Sequence, residues 1–330
     1  MKRYALLILL APMLWQLAPT ASAQTDVQLT QFYELPTLYN PAAIGQTDFL
    51  RIRGGGRLQW VGIDNAPKSF MLSADMPVKF LGKRFGAGVN ALTESYGLYK
   101  TLAIDAQFGF KLRKWGGEFT AALNLGMYDQ SFKGSDIYIP EGDDYHQDVD
   151  DALPQSDLHG TAFDLGLGLW YAHKYWQAGL SATHLMSPKI TMGSEDGGGS
   201  ESTAGTVYEF EARRTLYFMA MGNIPLKNTL FELMPALLVK SDFTFTTAEL
   251  MARARYNKFL SFGIGYRWDD AITATIAAEI KNFYIGYSFD YATSALHSAS
   301  SGSHEIVAGY RLKLNMGEKN RNRHKSVRVM

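Results

Sequence analysis

Between Leu260 and Leu314 the chain alternates apolar and polar side chains through four successive segments. Each segment is roughly nine to eleven residues long, which is the length that a tilted strand needs to cross a bilayer. A period of two is typical of a β-strand, because neighbouring side chains point to opposite faces. The less apolar face carries Gly, Ser, Thr, Arg and Glu, which do not make a dry core. The pattern predicts the wall of a transmembrane β-barrel, with lipid outside and polar groups inside.

The composition agrees with a membrane barrel and excludes several other classes. Of the 330 residues, 46% are hydrophobic and 19% are charged, and the formal net charge is zero. This balance gives no general attraction to nucleic acid, which requires clustered Lys and Arg, so we expect no nucleic-acid partner. Cys is absent, so the chain has no disulfides, Cys-based metal sites or Cys nucleophiles.

The first residues predict a cleaved export signal over 1–23. Lys2 and Arg3 form a basic start, Leu6–Leu10 an apolar centre, and Ala21-Ser22-Ala23 a cleavage site. The alternative, a membrane anchor, is disfavoured because the apolar run is too short and is broken by Pro12. An exported chain with many membrane-length alternating segments is expected in a Gram-negative outer membrane, as a multi-pass barrel.

Alternation and turn residues predict about fourteen strands after an irregular start. The expected strands are 50–60, 69–76, 85–94, 101–113, 118–131, 161–173, 176–185, one within 208–222, 231–240, 246–256, 260–269, 272–280, 283–289 and 306–314. The expected organisation is therefore an N-terminal periplasmic or lumen segment over 24–48, a barrel over 49–315 and a basic periplasmic tail over 316–330. The tail is either solvated or in contact with an acidic partner or a peptidoglycan-associated protein.

The lengths of the connections predict which end of the barrel faces outward. Bacterial barrels have short periplasmic turns and longer external loops. Every long connection, namely 132–160, 186–207 and 291–303, follows an odd-numbered strand. Two connections in the same set, near Ser241 and at Asp269-Asp270, are short, so the asymmetry is imperfect. We expect the long loops outside the cell and both ends of the barrel domain in the periplasm.

The sequence contains little that suggests catalysis, a cofactor or a metal. No His lies in an H-E-x-x-H motif and no Ser in a G-x-S-x-G motif. Ser303 and His304 are adjacent in a strand and would face opposite sides. The acidic loop 132–160 would suit calcium but lacks EF-hand spacing, and a solvated loop is the simpler interpretation. We expect no enzyme, no catalytic residues, no cofactor and no metal.

Several short motifs follow one another in a specific order. Gln31-Phe32 precedes Asn40-Pro41-Ala42-Ala43-Ile44-Gly45, and the next block contains Arg57-Leu58-Gln59-Trp60. Further motifs lie at 66–70, 166–171, 178–181, 234–236, 265–267, 285–291 and 302–306. In this order, the set resembles the PorP/SprF family over nearly the whole chain after the export signal.

The resemblance implies an outer-membrane barrel of the type IX secretion system of Bacteroidota, which serves gliding motility. Members of this family support the export or surface anchoring of large proteins with C-terminal sorting domains, such as gliding adhesins. The implied partners are those secreted proteins, periplasmic components of the secretion system or a peptidoglycan-binding protein, and outer-membrane lipid.

We predict that partner-binding residues lie in the N-terminal motif and the first strand. They are Gln31, Phe32, Asn40, Pro41, Gly45, Arg57, Gln59 and Trp60. The Asn40-Pro41 step is expected to contact the barrel interior or a periplasmic partner, because the barrel wall does not require it. The alternative is a turn that only begins the first strand.

A second functional class remains open from the sequence, namely an outer-membrane transporter or porin for a small molecule or fatty acid. About fourteen strands is also the size of long-chain fatty-acid barrels. A lumen blocked by the N-terminal segment and by inward residues such as Trp170, Arg267 and Arg311 would oppose free diffusion.

Overall fold

The structure, a computed structural model, describes residues 26–137, 154, 156–194 and 208–314. The expected signal peptide, most acidic residues of the loop 132–160 and the basic tail 316–330 lie outside these residues. Over the described ranges, no helix has the length and hydrophobicity needed to span a bilayer.

Fourteen long antiparallel strands form the wall, as the alternation predicts. They are β1 Phe49–Leu58, β2 Lys68–Phe80, β3 Lys83–Tyr96, β4 Tyr99–Lys114, β5 Gly117–Phe132, β6 Leu158–Ala172, β7 Trp176–Thr183, β8 Thr215–Gly222, β9 Phe231–Ser241, β10 Thr246–Tyr256, β11 Leu260–Arg267, β12 Ala271–Ile280, β13 Phe283–Ala292 and β14 Ser303–Lys313. Each strand pairs with its sequence neighbours, and β1 pairs with both β2 and β14. The wall is therefore a closed barrel, which leaves no strand edge unpaired in lipid.

Three short strands add to this wall. Lys189–Ser194 and Tyr208–Glu211 pair with each other beside β6, while Ile224–Pro225 pairs with β9. The wall strand expected within 208–222 is β8, which covers only Thr215–Gly222. Tyr208–Glu211, at the start of that range, belongs to the separate hairpin.

The two faces of the wall have the predicted chemistry. In β6, Phe163 and Leu169 are about half exposed on the outside, whereas Asp164 and Trp170 are buried inside. The same alternation continues around the barrel, so the apolar surface faces lipid and the polar surface faces the lumen. Aromatic side chains line the rims, including Trp176 and Trp268, where a membrane-interface girdle is expected.

The two ends of the barrel differ in their connections. The turns after β2, β4, β6, β8, β10 and β12 define the short-turn end, and the other connections define the long-loop end. The sequence prediction underestimated β3 and β4, which extend until only Gly97 and Leu98 separate them. A third connection at the long-loop end is therefore short, because Gly97 adopts a positive φ and closes a tight hairpin.

Candidate functional site in the barrel lumen

Residues 26–48, here called the luminal segment, run through the inside of the barrel. Asp26 contacts His184 and Lys240 at the long-loop end. Asp48 accepts a hydrogen bond from the backbone of Leu314 and pairs with Arg84 at the short-turn end. Most side chains between these two anchors are buried. The segment therefore occupies the lumen from one end to the other.

Proline and asparagine give the luminal segment its compact shape. Two 3₁₀ helices, Pro36–Leu38 and Pro41–Ala43, each begin with a proline, whose fixed φ suits a helix start and whose nitrogen needs no acceptor. The Asn40 side chain caps the second helix by accepting a hydrogen bond from the Ala42 N–H at 2.9 Å. Gly45 then turns with a positive φ toward β1. Much of the buried backbone is thus hydrogen-bonded within the segment.

Five charged side chains of the wall form a buried ion-pair cluster near the long-loop end. Arg57 lies 2.7 Å from Asp290 and 3.2 Å from Glu305. Arg267 lies 2.9 Å from Glu249 and 3.2 Å from Asp290. The side chains are at most 3% exposed. At such burial each charge is tolerated only because its partners neutralise it, so the removal of one member leaves another uncompensated.

The luminal segment inserts Thr30 and Gln31 into this cluster. Their backbone N–H groups donate to the two carboxylate oxygens of Glu305 at 2.9 and 2.8 Å. The Thr30 hydroxyl donates to Asp290 at 2.7 Å, and it accepts from Arg57 and Arg267. The hydroxyl therefore both donates and accepts inside the cluster, and hydrogen bonds to charged groups are among the stronger ones.

Neutral hydrogen bonds hold the middle of the luminal segment. The Thr37 carbonyl accepts from the side-chain amides of Asn90 at 3.0 Å and Gln107 at 2.8 Å. On the other side, Ser181 donates to the Tyr39 carbonyl at 2.6 Å. Three wall strands thereby satisfy buried carbonyls that the 3₁₀ helices leave unpaired.

Glycines in the wall allow the luminal segment to approach closely. A Cβ atom on Gly168 would lie 2.3 Å from the Asn40 side-chain oxygen. A Cβ on Gly286 would lie 2.2 Å from the side-chain oxygen of Gln31. Both separations are far below van der Waals contact, so larger residues here would push the segment away from the wall.

Charged side chains also hold the part of the luminal segment that lies nearer the short-turn end. Arg51 binds Asp75 through two nitrogen atoms, and Asp75 accepts a further bond from the Gly45 N–H at 2.7 Å. The Arg253 guanidinium lies 3.3 Å from the centre of the Tyr33 ring, where a cation–π attraction operates.

A second charged group fixes the beginning of the luminal segment. His184, which follows β7, lies 3.0 Å from Asp26 and 2.9 Å from Asp164. Burial alone would raise the pKa of Asp26, but His184, Lys240 and a hydrogen bond from Tyr217 hold it below its ordinary value. Burial lowers the pKa of His184, and the two carboxylates outweigh this and raise it to about 10. The Asp26–His184 contact is therefore an ion pair at neutral pH.

A small cavity of about 70 Å³ lies between the luminal segment and the β3–β6 wall. Glu94, Asp105 and Asp164 line it, together with the amides of Gln107 and Asn124. Among the described residues, no three His, Cys, Asp or Glu side chains come together as a metal site. A space of this size holds a few water molecules and is too small for a drug-sized ligand.

The predicted partner-binding residues divide into two groups. Six are buried between the luminal segment and the wall, namely Gln31, Phe32, Asn40, Pro41, Gly45 and Arg57. Gln59 and Trp60 are partly exposed at the long-loop end, where the Trp60 N–H donates to Ser303 at 3.0 Å. The Asn40-Pro41 step contacts the barrel interior, since the Asn40 amide donates to the Leu169 carbonyl at 3.1 Å. Partner binding by all eight residues stays a prediction.

Sequence reasoning missed most of the wall residues that bind the luminal segment. It placed Arg267 and Trp170 in the lumen, where both are buried, and Arg311, which is partly exposed and lies 2.6 Å from Glu279. It did not select Glu249, Asp290 or Glu305. Glu249 lies on the inward face of the expected strand 246–256, so alternation could have identified it. Asp290 and Glu305 each lie one residue outside the expected strands 283–289 and 306–314, and only the longer strands of the structure include them.

Ser303 and His304 illustrate why adjacent strand residues do not form a catalytic pair. Ser303 is buried and faces inward, whereas the His304 ring nitrogen lies 2.8 Å from the Tyr287 hydroxyl on the outer surface. The two side chains therefore point to opposite faces of β14, as the period of two predicts.

Comparison with known proteins gives a family match and several distant structural similarities. A family model described as type IX secretion system membrane protein PorP/SprF matches residues 21–310. A direct comparison matches no curated protein. The matched residues include the luminal segment, all five members of the buried ion-pair cluster and most of the wall.

The similar solved structures are outer-membrane barrels of low sequence identity. A Pseudomonas aeruginosa FadL homologue is 8% identical, with 83% of this chain and 92% of that chain covered and a TM-score of 0.46. The Ralstonia pickettii toluene transporter TbuX is 12% identical, with the same coverages and the same TM-score. Acinetobacter baumannii Omp33 is 8% identical, with 81% of this chain and 100% of that chain covered and a TM-score of 0.44.

Proposed function

Since the chain belongs to the PorP/SprF family of type IX secretion system membrane proteins, we propose that it supports the export or surface anchoring of large secreted proteins. The barrel and the family support a location in the outer membrane. The proposed clients carry C-terminal sorting domains, and gliding adhesins are the class we expect. On the other side of the membrane, the proposed partners are periplasmic secretion components or a peptidoglycan-binding protein.

The filled lumen is the observation that supports anchoring over conduction. Residues 26–48 pass through the whole barrel and are held at both ends by ion pairs and in the middle by hydrogen bonds. A large polypeptide has no room beside this segment, so the proposed client binds the barrel from outside rather than passing through it. Family membership supports a role in secretion. The filled lumen supports binding of the client at the barrel surface rather than passage through the barrel.

The long-loop end is the proposed client surface. Trp60 there has a positive φ and is braced by a hydrogen bond to Ser303, while Val61 pairs with the backbone of Gly302. Asp26 and His184 join the luminal segment to the same end. Of the eight predicted partner-binding residues, we propose that Gln59 and Trp60 contact the client directly, because they are the two that are partly exposed at this end. The six buried residues are proposed to support this surface indirectly, through the fold of the luminal segment.

The test is surface display in a strain that lacks this gene. We expect the deletion strain to lose one or more large surface proteins with C-terminal sorting domains, and the wild-type gene to restore them. A Gln59→Ala/Trp60→Ala variant should reach the membrane at normal levels and restore display poorly. A deletion strain with its full set of surface proteins would refute the proposal.

The transporter alternative makes a different prediction. A transporter or porin would show a steady conductance in planar bilayers or would restore uptake of a defined solute. We expect the wild-type barrel to conduct little, because the luminal segment fills it. A large and constant conductance of the intact protein would favour the alternative.

A further inference from the structure

The short-turn end carries one lysine at each of its six turns. These residues, here called the lysine ring, are Lys83, Lys114, Lys174, Lys227, Lys258 and Lys281, and all six are exposed. The turns themselves contain no Asp or Glu. The whole chain has zero net charge, so this concentration of positive charge at one end is a property of the fold rather than of the composition.

The charges of the lysine ring are not balanced by the acidic side chains that the structure describes. Across the described ranges, none of the six lysines takes part in an ion pair, while the acidic residues near this end have other partners. Asp48 pairs with Arg84, Glu118 with Lys111, and Glu279 with Arg311. Those three acidic side chains are thus occupied on the luminal side, and within the described part of the chain the six ammonium groups have no counter-charge at the outer rim.

Aromatic side chains place three members of the lysine ring at the level of the membrane interface. The Lys114 nitrogen lies 4.6 Å from the ring centre of Trp115, and the Lys174 nitrogen lies 4.9 Å from that of Tyr175. Lys83 lies 5.9 Å from the ring of Phe110, which is exposed on the lipid-facing surface. Because aromatic girdles sit among the lipid headgroups, the ammonium groups stacked on them lie at the depth of lipid phosphates.

We propose that the lysine ring is a binding surface for anionic phospholipids of the periplasmic leaflet. An anionic phosphodiester headgroup supplies the charge that the turns lack, and it lies at the depth where the lysines are held. The six turns surround the barrel, which matches an annulus of lipid. A single protein partner would require the charges to collect on one side or to project away from the girdle.

Lipid retention by the purified protein tests this proposal. The full-length protein in neutral detergent is exposed to equal amounts of phosphatidylglycerol and phosphatidylethanolamine with matched acyl chains, and the retained lipids are counted by native mass spectrometry. We expect about tenfold enrichment of phosphatidylglycerol, because each basic side chain near an anionic surface adds to the attraction. The enrichment should fall as salt rises, since exposed charges are screened.

A ring variant with six substitutions and a control variant with four substitutions at the opposite end isolate the lysines. The ring variant combines K83Q, K114Q, K174Q, K227Q, K258Q and K281Q, and it should lose most of the enrichment. The control combines K68Q, K100Q, K133Q and K189Q, which are exposed lysines of the long-loop end, and it should keep the enrichment. If the full ring variant does not fold, two variants with three substitutions each should lose part of it.

Two results would overturn the proposal. The first is equal retention of both lipids by the wild-type protein. The second is unchanged enrichment in the folded ring variant; if that variant also loses an acidic periplasmic protein, the ring is a protein-docking surface. This test does not depend on surface display, so its failure is separate from failure of the proposed function.

Discussion

Glu305 accepts a hydrogen bond from the backbone N–H of Gln31 at 2.8 Å, across 274 residues of sequence. The contact joins the last strand of the wall to the segment inside it. The same carboxylate binds Arg57 of the first strand. One buried side chain therefore contacts both the seam where β1 meets β14 and the segment that fills the lumen, which couples closure of the barrel to placement of the luminal segment.

Removal of that carboxylate should destabilise the barrel. In Glu305→Ala, Arg57 loses a charge partner and two backbone N–H groups lose their acceptor, so the free energy of unfolding should fall by about 3–5 kcal/mol. Urea unfolding of the protein in detergent measures the change. Glu209→Ala, at an exposed position of the long-loop end, should alter it by less than about 0.5 kcal/mol. Equal stability of the two variants would refute the role of Glu305.

The wall glycines should be sensitive to a single added methyl group where the luminal segment passes. Gly168→Ala places a Cβ 2.3 Å from the Asn40 side-chain oxygen, so we expect a loss of about 1–3 kcal/mol. Gly54→Ala is the matched control, because a Cβ there meets no atom closer than 3.5 Å. The melting temperatures of the two variants test this. Similar melting temperatures would show that the segment does not press on the wall at Gly168.

The beginning of the luminal segment should be best held in a defined pH window. The pKa of Asp26 is lowered in the folded state, so its stabilisation is present above the unfolded value of about 3.9 and is lost as the pH falls below it. The pKa of His184 is raised to about 10, so its stabilisation is complete below the unfolded value of about 6.5 and declines as the pH rises toward 10.

Hydrogen exchange at residues 26–30 would measure this window. After correction for intrinsic exchange, protection should be greatest between about pH 4 and 6.5 and should decrease on both sides. His184→Gln should remove the decrease on the alkaline side and leave the rest of the barrel protected. A protection profile that is flat from pH 5 to 10 in the wild type would contradict the assignment.

A disulfide can test whether the luminal segment moves during function. The hydroxyl oxygens of Thr37 and Ser73 are 2.7 Å apart, and the chain has no native Cys, so Thr37→Cys/Ser73→Cys should cross-link under oxidation. We expect the cross-linked barrel to support surface display as well as either single variant does, because the segment acts as a fixed part of the structure. Display that is lost on oxidation and restored by reduction would show that the segment must leave the wall.

The strand pattern and the barrel could be predicted because both depend on local periodicity. Leu260 to Leu314 alternates with a period of two, and each strand pairs with its sequence neighbours, so the order of strands around the wall follows the order in the chain. The ends of the strands are predicted less accurately than their order. The extension of β3 and β4 to Gly97 and Leu98 was missed, since hydrogen bonding continued past the apolar residues that marked the expected ends.

For the candidate site, too, the features that depend on local periodicity could be predicted and the long-range contacts could not. The sequence alone determined that inward positions such as Asp164, Trp170 and Arg267 face away from lipid, because alternation decides the face of every strand residue. Only the tertiary structure decided what those side chains meet. Thr30 reaches Asp290 and Gln107 reaches Thr37 because barrel closure and the path of the luminal segment bring together residues that are distant in sequence, and no local pattern encodes such contacts.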